Sequence, residues 1–221
     1  MENRQSLITQ LDALIQQKHM LQHDFYKAWT CGHLQQSTLR EYAKAYYHHV
    51  KAFPTYLSAV HSRCDDSKTR KLLLENLIDE EAGTPNHPDL WRSFAQALGV
   101  TSHELDHDKP QSAASELVDT FRDICRNAPI AAGIAALYCY ESQIPTICTS
   151  KIDGLKKWYG MNDPEGYRYF TVHETADVEH SRVERELLVS MVGTKEEENA
   201  VLASAERILD TLWKFLSSFK I

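Results

Sequence analysis

Helix-breaking residues are scarce in this chain, and their scarcity restricts it to long helical segments. It holds 8 glycines and 7 prolines in 221 residues. Helical periodicity fills the stretches between them, and the alternation of β-branched residues that is typical of strands is missing. The sequence predicts helices at about 3–19, 21–31, 36–63, 67–82, 88–98, 113–127, 129–159, 164–192 and 195–219. We therefore expect an all-α helical bundle that forms a single domain over residues 1–221.

The charge and cysteine content exclude several classes of protein. A net charge of −7 without a Lys/Arg block argues against a nucleic-acid partner. No apolar run approaches the roughly 20 residues that a membrane span needs, and the N-terminus has no signal-peptide core. The five cysteines form an odd set without a C-x-x-C pair, which favours reduced thiols over disulfides. We expect a cytoplasmic protein that does not enter a membrane.

The stretch "TVHETADVEHSRVERELL", residues 171–188, places two histidines and an acid at helical spacing. His173, Asp177 and His180 follow the pattern i, i+4, i+7, so their side chains project from one face of a helix. That face could be solvated, with an acid–histidine pair that contributes only a few tenths of a kcal/mol. It could equally hold a metal, and the spacing alone leaves both readings open.

A second acid–histidine pair lies in "NLIDEEAGTPNHPDLW". Glu80 stands at the end of an apolar helix, and His87 follows seven residues later. A straight helix would separate them by about 10 Å, but the Gly-Thr-Pro break could fold His87 back towards Glu80. The alternative is a solvated acidic helix end followed by a histidine in a turn.

Glu141 lies within the most apolar segment of the chain, "IAAGIAALYCYESQIPTICTSKI". A carboxylate in such a helix is costly unless it is paired, protonated or bound to a cation. Pro145 removes a backbone hydrogen bond four residues later and predicts a kink near this acid. The alternative is one exposed acid on a helix that is otherwise buried.

Together these segments offer three carboxylates and three histidines as ligands. Six oxygen and nitrogen ligands without cysteine do not suit one tetrahedral structural zinc. They suit two octahedral ions of iron or manganese, and helical bundles build such sites from inward-facing pairs such as Asp177 and His180. The ligand types do not distinguish two Fe ions from a Mn/Fe pair.

The chain resembles the haem-oxygenase-like di-metal oxidases, relatives of the pyrroloquinoline-quinone synthase C family, and within them the chlamydial proteins that associate with death domains. The resemblance runs through "LDALIQQKHMLQHDFYKAW", "KAFPTYLSAVHSRCDD", "DEEAGTPNHPDLW", "AALYCYESQIP" and "YFTVHETADVEHSRVE". It implies a bundle of seven or eight helices around a dinuclear site. The family's metal-binding positions fall on Glu80, His87, Glu141, His173, Asp177 and His180.

The same resemblance implies an oxygenase that uses O₂ and a reductant to form p-aminobenzoate, the folate precursor. It implies that the aromatic ring comes from the protein's own Tyr26 and that Lys151 supplies the amino group, so that each chain reacts once. Tyr140 and Tyr169 match aromatic positions near the family's site, where they would relay electrons or line the pocket.

The sequence leaves other functions open. Within the same fold, a conventional oxidase would act on an added small molecule, with Tyr26 lining the pocket. The chain could instead be an interaction protein that binds host death domains, and a homodimer is also open. A thiaminase-like variant would need a nucleophilic cysteine, for which Cys139 is available, but its neighbours match the metal-dependent group.

Overall fold

A computed structural model describes residues 2–221, the side chains of residues 2–5 excepted. Every regular element in this range is helical. A 3-10 turn, Met20–Gln22, precedes the second α-helix. None of the described helices is both long and apolar enough to span a membrane. The α-helices are α1 Glu2–Gln17, α2 Asp24–Cys31, α3 Gln36–Arg63, α4 Ser67–Glu81, α5 His87–Ala97, α6 Ser102–His107, α7 Ser112–Asn127, α8 Ile130–Glu141, α9 Ile144–Trp158, α10 Pro164–Met191 and α11 Lys195–Ser217.

The single helix predicted over 129–159 is wrong, because the structure divides it into α8 and α9. Pro145 has no amide hydrogen, so a continuous helix would leave the carbonyl of Glu141 without its partner. Gln143 closes the break: its Nε2 donates to the Cys139 carbonyl at 2.6 Å and its Oε1 accepts from the Met20 amide at 2.8 Å. Glu141 is consequently the last residue of α8 rather than a residue in the middle of a helix.

The short helix α6 is a second difference from the sequence prediction. Thr101 caps it through a reciprocal pair of hydrogen bonds with Glu104, which stabilises a helix of only six residues. This extra helix and the break before Pro145 add to the number of segments. The described residues therefore hold eleven α-helices rather than the seven or eight that the resemblance implies.

Helix α8 lies at the centre of the bundle, where it packs against α10 and α11. All of its residues from Ala131 to Glu141 are buried. Its small side chains allow close approach: a Cβ atom built on Gly133 would lie 2.9 Å from Val60 Cγ2 of α3. This packing carries the carboxylate of Glu141 into the interior.

Helix α3 presents a continuous aromatic face to the core. Tyr42, Tyr46, His49, Phe53 and Tyr56 are buried and recur every three or four residues, which aligns them along one side of the helix. Tyr42 and Tyr46 stack with ring centroids 5.3 Å apart. The face therefore forms a row of rings that runs through the bundle.

Helix α2 docks on α9 through Trp29. The indole Nε1 donates to the Lys151 carbonyl at 3.2 Å. Its ring lies so close to Gly154 that a Cβ atom at residue 154 would be 2.6 Å from Trp29 Cδ1. Because Tyr26 lies on the same short helix as Trp29, this contact also sets the position of Tyr26 beside Lys151.

We predict that Gly154→Ala destabilises the protein by about 1–3 kcal/mol, since the added methyl group overlaps the Trp29 ring. Chemical denaturation measures the free energy of unfolding. The matched control is Gly193→Ala, where the nearest atom to a new Cβ is 3.9 Å away, and we expect a change within about 0.5 kcal/mol. Equal stability of the Gly154→Ala variant and the parent would contradict the close docking of α2 on α9.

Candidate metal centre

Helix α10 supplies three of the candidate ligands from one face. His173, Asp177 and His180 are all buried, although the exposed residues of α10 alternate with them along the sequence. Their burial excludes the reading of this stretch as a solvated face. The face packs against α8, α4 and α5, which carry the remaining candidates.

The turn between α4 and α5 brings Glu80 and His87 together. The chain reverses after Glu81, and Asn86 caps α5 by accepting the Asp89 amide. His87 Nδ1 then lies 3.0 Å from Glu80 Oε2, and both side chains are buried. The break in the sequence thus folds the histidine back onto the acid.

Glu80, His87 and His173 form the first group of ligands. His173 Nε2 lies 4.0 Å from Glu80 Oε1. His173 Nδ1 lies 2.7 Å from the Tyr169 carbonyl, which can only accept, so Nδ1 carries the proton. The lone pair of Nε2 is therefore directed at the group and free to bind a cation.

Glu141, Asp177 and His180 form the second group. His180 Nδ1 is 3.2 Å from Glu141 Oε1 and 3.3 Å from Asp177 Oδ1. On the other side of the ring, His180 Nε2 donates to Asp79 Oδ2 at 3.1 Å. Such a carboxylate partner orients a metal-binding histidine and leaves its other nitrogen for the metal.

Both groups fit a cation in size and in donor type. In each group the three potential ligand atoms lie within 4.8 Å of one another. Atoms bound to one cation at roughly 2.1 Å are about 3–4 Å apart, so small movements would complete either site. The donors are carboxylate oxygens and imidazole nitrogens, which suit iron and manganese.

Unsatisfied polar atoms give an independent reason to expect cations. Within the described residues, Glu141 Oε2 and both carboxylate oxygens of Asp177 are buried without a hydrogen bond of good geometry, although His180 Nδ1 lies 3.3 Å from Asp177 Oδ1. Buried polar atoms are otherwise nearly always paired, and an unpaired buried charge is strongly destabilising. Two divalent cations would satisfy these atoms.

The pKa values of the carboxyl groups reflect how closely these acids crowd together in the core. Burial raises the pKa of Asp177 and, with the neighbouring Glu141 carboxylate, raises that of Glu184 well above its usual range. Burial also opposes ionisation of Glu141, but its contacts with Glu184, His180 and Asn76 outweigh burial and lower its pKa. One of the three carboxyl groups therefore stays charged in the core.

Sequence reasoning missed three residues around the second group. Glu184 is buried, contacts Glu141 and follows His180 by four residues, so the helical spacing that marked the ligands also pointed to it. Asn76 Nδ2 donates to Glu141 Oε1 at 3.0 Å. For Asn76 and Asp79, the sequence carries no comparable signal.

Tyr140 and Tyr169 line an enclosed space that both groups face. Its walls are Val50, Phe53, Glu80, Tyr140, Glu141, Tyr169, His173 and Asp177. The Tyr169 ring stacks on the His173 ring with centroids 4.0 Å apart. The structure thus places two of the four candidate catalytic residues directly beside the ligands.

Tyr26 and Lys151 lie in a separate aromatic pocket. Lys151 Nζ donates to the Tyr42 hydroxyl at 2.7 Å and lies 5.4 Å from the centre of the Tyr26 ring. The hydroxyl oxygens of Tyr26 and Tyr42 are 3.3 Å apart. Neither Tyr26 nor Lys151 belongs to the walls of the enclosed space.

Two tyrosines that sequence reasoning did not single out connect the pocket to the enclosed space. Tyr42 stacks on Tyr46, and the Tyr46 and Tyr140 hydroxyl oxygens are 2.7 Å apart. Tyr26, Tyr42, Tyr46 and Tyr140 therefore form a continuous row of phenols. The four-residue spacing of Tyr42 and Tyr46 was the available signal.

Cys139 does not suit the thiaminase-like alternative, which needs a nucleophilic thiol. This residue is fully buried, and burial raises the pKa of its thiol. A nucleophilic cysteine needs a lowered pKa and access to solvent.

Comparison with known proteins assigns the chain to a family. A family model described as iron-containing redox enzyme matches residues 40–213. A 4-aminobenzoate synthase of Chlamydia pneumoniae is 52% identical over 97% of this chain and 95% of its own length. The 4-aminobenzoate synthase of Nitrosomonas europaea is 48% identical over 94% of this chain and 88% of its own. A pyrroloquinoline-quinone synthase of Acinetobacter baylyi is 21% identical over 91% and 80%.

A solved structure gives the same answer for the fold. A TenA homologue from Pseudomonas syringae pv. tomato superposes with a TM-score of 0.82, at 16% identity, over 96% of this chain and 90% of that one. The expected all-α, haem-oxygenase-like architecture is confirmed.

We predict that Asp79→Ala weakens metal binding by about 10–100-fold, because His180 loses the acceptor that orients its ring. Equilibrium titration of the metal-free protein with Mn(II) or Co(II) measures this affinity. Asp119→Ala, which removes an exposed aspartate from α7, serves as the control and should bind as the parent does. Parental affinity in the Asp79→Ala variant would show that Asp79 does not support the site.

Proposed function

The chain belongs to the family of iron-containing redox enzymes, and on that premise we propose that it is an oxygenase that forms 4-aminobenzoate. The proposal draws on the two 4-aminobenzoate synthases, which match nearly its whole length at about half identity. One structural observation carries it: two buried groups of metal ligands face an enclosed space from which a row of phenols leads to a buried lysine.

Two cations bound by the six ligands would supply the activation of O₂. Iron fits both the family and the types of donor atom. We propose either two Fe ions or a Mn/Fe pair, because both accept the same ligands. Glu80, His87 and His173 would hold one ion, and Glu141, Asp177 and His180 the other.

The enclosed space favours a substrate that is part of the protein. The eight described residues that line this space are packed so closely that a free aromatic molecule does not fit between them. Small-molecule sites typically offer about 300–1,000 Å³. A conventional oxidase with an added substrate is therefore disfavoured, and the aromatic ring would come from a side chain already in the core.

We assign that ring to Tyr26. Its side chain already carries a benzene ring with para substituents, as 4-aminobenzoate does. Release of the ring requires cleavage of the Cα–Cβ bond, conversion of Cβ into the carboxyl carbon and replacement of the phenol oxygen by nitrogen. Each chain would react once, with O₂ and a reductant as co-substrates.

Lys151 is the proposed amino donor: its Nζ would form the bond to the ring carbon that loses the phenol oxygen as water, and its own Cε–Nζ bond would be cleaved oxidatively, with O₂ as the oxidant. Lys151 Nζ is buried among aromatic rings, 5.4 Å from the Tyr26 ring and 4.9 Å from that of Tyr42. Burial lowers the pKa of Lys151 to about 7. A large fraction of the side chain is then a neutral amine at neutral pH, and a neutral amine has the lone pair that a nitrogen nucleophile needs.

Tyr140 and Tyr169 are proposed to link the ligands to this chemistry. Tyr140 is a wall of the enclosed space and is hydrogen-bonded to Tyr46, the next phenol in the row. Tyr169 holds His173 through its ring and its carbonyl. Tyr140 would relay electrons from Tyr26 towards the ligand groups. Tyr169 would hold His173, and with it the first ligand group, in place.

Several expectations about the surroundings stay predictions. The physiological reductant, a homodimer, a death-domain partner and a cytoplasmic location are among them. The assignment of the metal ligands does not depend on any of them.

We predict that Tyr26→Phe abolishes 4-aminobenzoate release while metal binding stays near the parental level. The hydroxyl is needed to activate the ring, and it lies outside both ligand groups. Product analysis after exposure to Fe(II), with or without Mn(II), O₂ and reductant tests this. Intact mass spectrometry of the parent should show loss of the Tyr26 side chain.

Tyr167→Phe is the matched control, since Tyr167 is a half-buried tyrosine of α10 outside the phenol row. It should release product as the parent does. Parental release from Tyr26→Phe, or many product molecules per chain with an added substrate, would refute self-consumption.

The lowered pKa of Lys151 also predicts a pH-dependent stability. The folded-state pKa of about 7 lies below the ordinary 10.5. Burial of the charged amine therefore destabilises the fold fully below pH 7, and this cost disappears as the pH rises to about 10.5. Relative to Lys151→Met, the metal-free parent should gain up to about 1.4 kcal/mol per pH unit above pH 7. Denaturation at pH 7 and 9 measures the difference, and equal pH slopes would contradict a neutral Lys151.

A further inference from the structure

A small cavity opens between α4 and α10, beside the second ligand group. Its volume is about 110 Å³, and its walls are Leu72, Leu73, Glu75, Asn76, Asp79, Glu179, His180, Val183 and Glu184. Glu75, Asp79 and Glu179 are exposed, whereas Asn76, His180 and Glu184 are buried. The cavity therefore runs from the protein surface to His180, a proposed ligand.

The walls of this cavity are strongly acidic. Four of its nine residues carry carboxyl groups: Glu75, Asp79, Glu179 and Glu184. Arg182, the nearby base on α10, forms ion pairs with Glu179 and Glu186 and so offsets only part of this charge. An acidic cleft with low-dielectric walls concentrates cations and raises their association rate.

Glu184 is the innermost of these carboxyl groups and has an unusual environment. It is 2% exposed, and both of its oxygens lack a hydrogen-bond donor among the described residues. It contacts Glu141, a proposed ligand, yet it belongs to neither ligand group. A buried carboxyl group without a donor is costly, and a passing cation would relieve that cost.

We propose that this cavity is the route by which a divalent cation reaches the Glu141–Asp177–His180 group, with Glu184 as the carboxylate that binds the cation immediately before those ligands. The acidic mouth attracts the cation, Glu184 binds it beside Glu141, and the cation then moves to the final ligands. The cavity is smaller than the sites that hold organic ligands, and its charge does not favour a neutral molecule such as O₂. The inference rests on the metal centre and is independent of the product.

The test follows uptake of Co(II) by the metal-free, full-length protein in a stopped-flow spectrophotometer, using the visible absorbance of bound Co(II). In Glu184→Gln the rate of uptake should fall roughly tenfold, with the final number of bound ions unchanged. Glu75→Gln should slow uptake by a smaller factor and reduce its dependence on salt, because Glu75 acts only by its charge at the mouth.

Glu206→Gln is the matched control, since it removes one exposed carboxylate from α11, away from the cavity. It should take up Co(II) at the parental rate. Parental rates in both Glu184→Gln and Glu75→Gln would overturn the proposed route. A lower final stoichiometry at an unchanged rate in Glu184→Gln would also overturn it, because Glu184 would then be a ligand.

Failure of the parent itself to bind Co(II) would refute the metal centre, and the route with it. Should Glu184→Gln fail to fold, Glu75→Gln on the surface still decides the question. Co(II) uptake by the parent as predicted, with no 4-aminobenzoate formed by the Fe(II)-loaded parent in the presence of O₂ and reductant, would instead count against the proposed function alone.

Discussion

The structure depends on the burial of three carboxyl groups around one histidine, His180. Glu141, Asp177 and Glu184 meet His180 in the core, and several of their oxygens have no donor among the described side chains. A buried carboxylate without a partner costs several kcal/mol, so such a group takes up a proton, pairs with a cationic side chain or binds a cation. The packing of α8 against α10 thus brings together the carboxyl groups on which the candidate metal centre and the proposed uptake route both rest.

Much of the fold could be predicted from the spacing of its residues. Scarce glycine and proline indicated long helices, and the i, i+4, i+7 pattern placed His173, Asp177 and His180 on one face. The proximity of Glu80 and His87 could be predicted only if the Gly-Thr-Pro break was taken as a reversal of the chain. At Pro145 the sequence predicted only a kink, because the apolar helical pattern resumes directly after it, and only the contacts of Gln143 reveal how the break is closed.

Several residues that sequence reasoning missed act through neighbours distant in sequence. Asn76 and Asp79 matter because α4 lies beside α10, where they contact Glu141 and His180. Tyr46 matters because its hydroxyl meets that of Tyr140, 94 residues later. Spacing within one helix reports which side chains share a face, but it does not report which face of another helix they meet.

The burial of Tyr26 has a consequence for the fate of the molecule. Its ring is packed against Phe25 and Trp29, and its side chain is 2% exposed. A chain that gives up this ring is left with a void in its core, and loss of a large aromatic side chain typically costs about 3–5 kcal/mol. That is a large share of the roughly 5–15 kcal/mol that keeps a domain folded. The spent polypeptide would unfold far more often than a fresh one, which would mark it for proteolytic clearance and recycling of its amino acids.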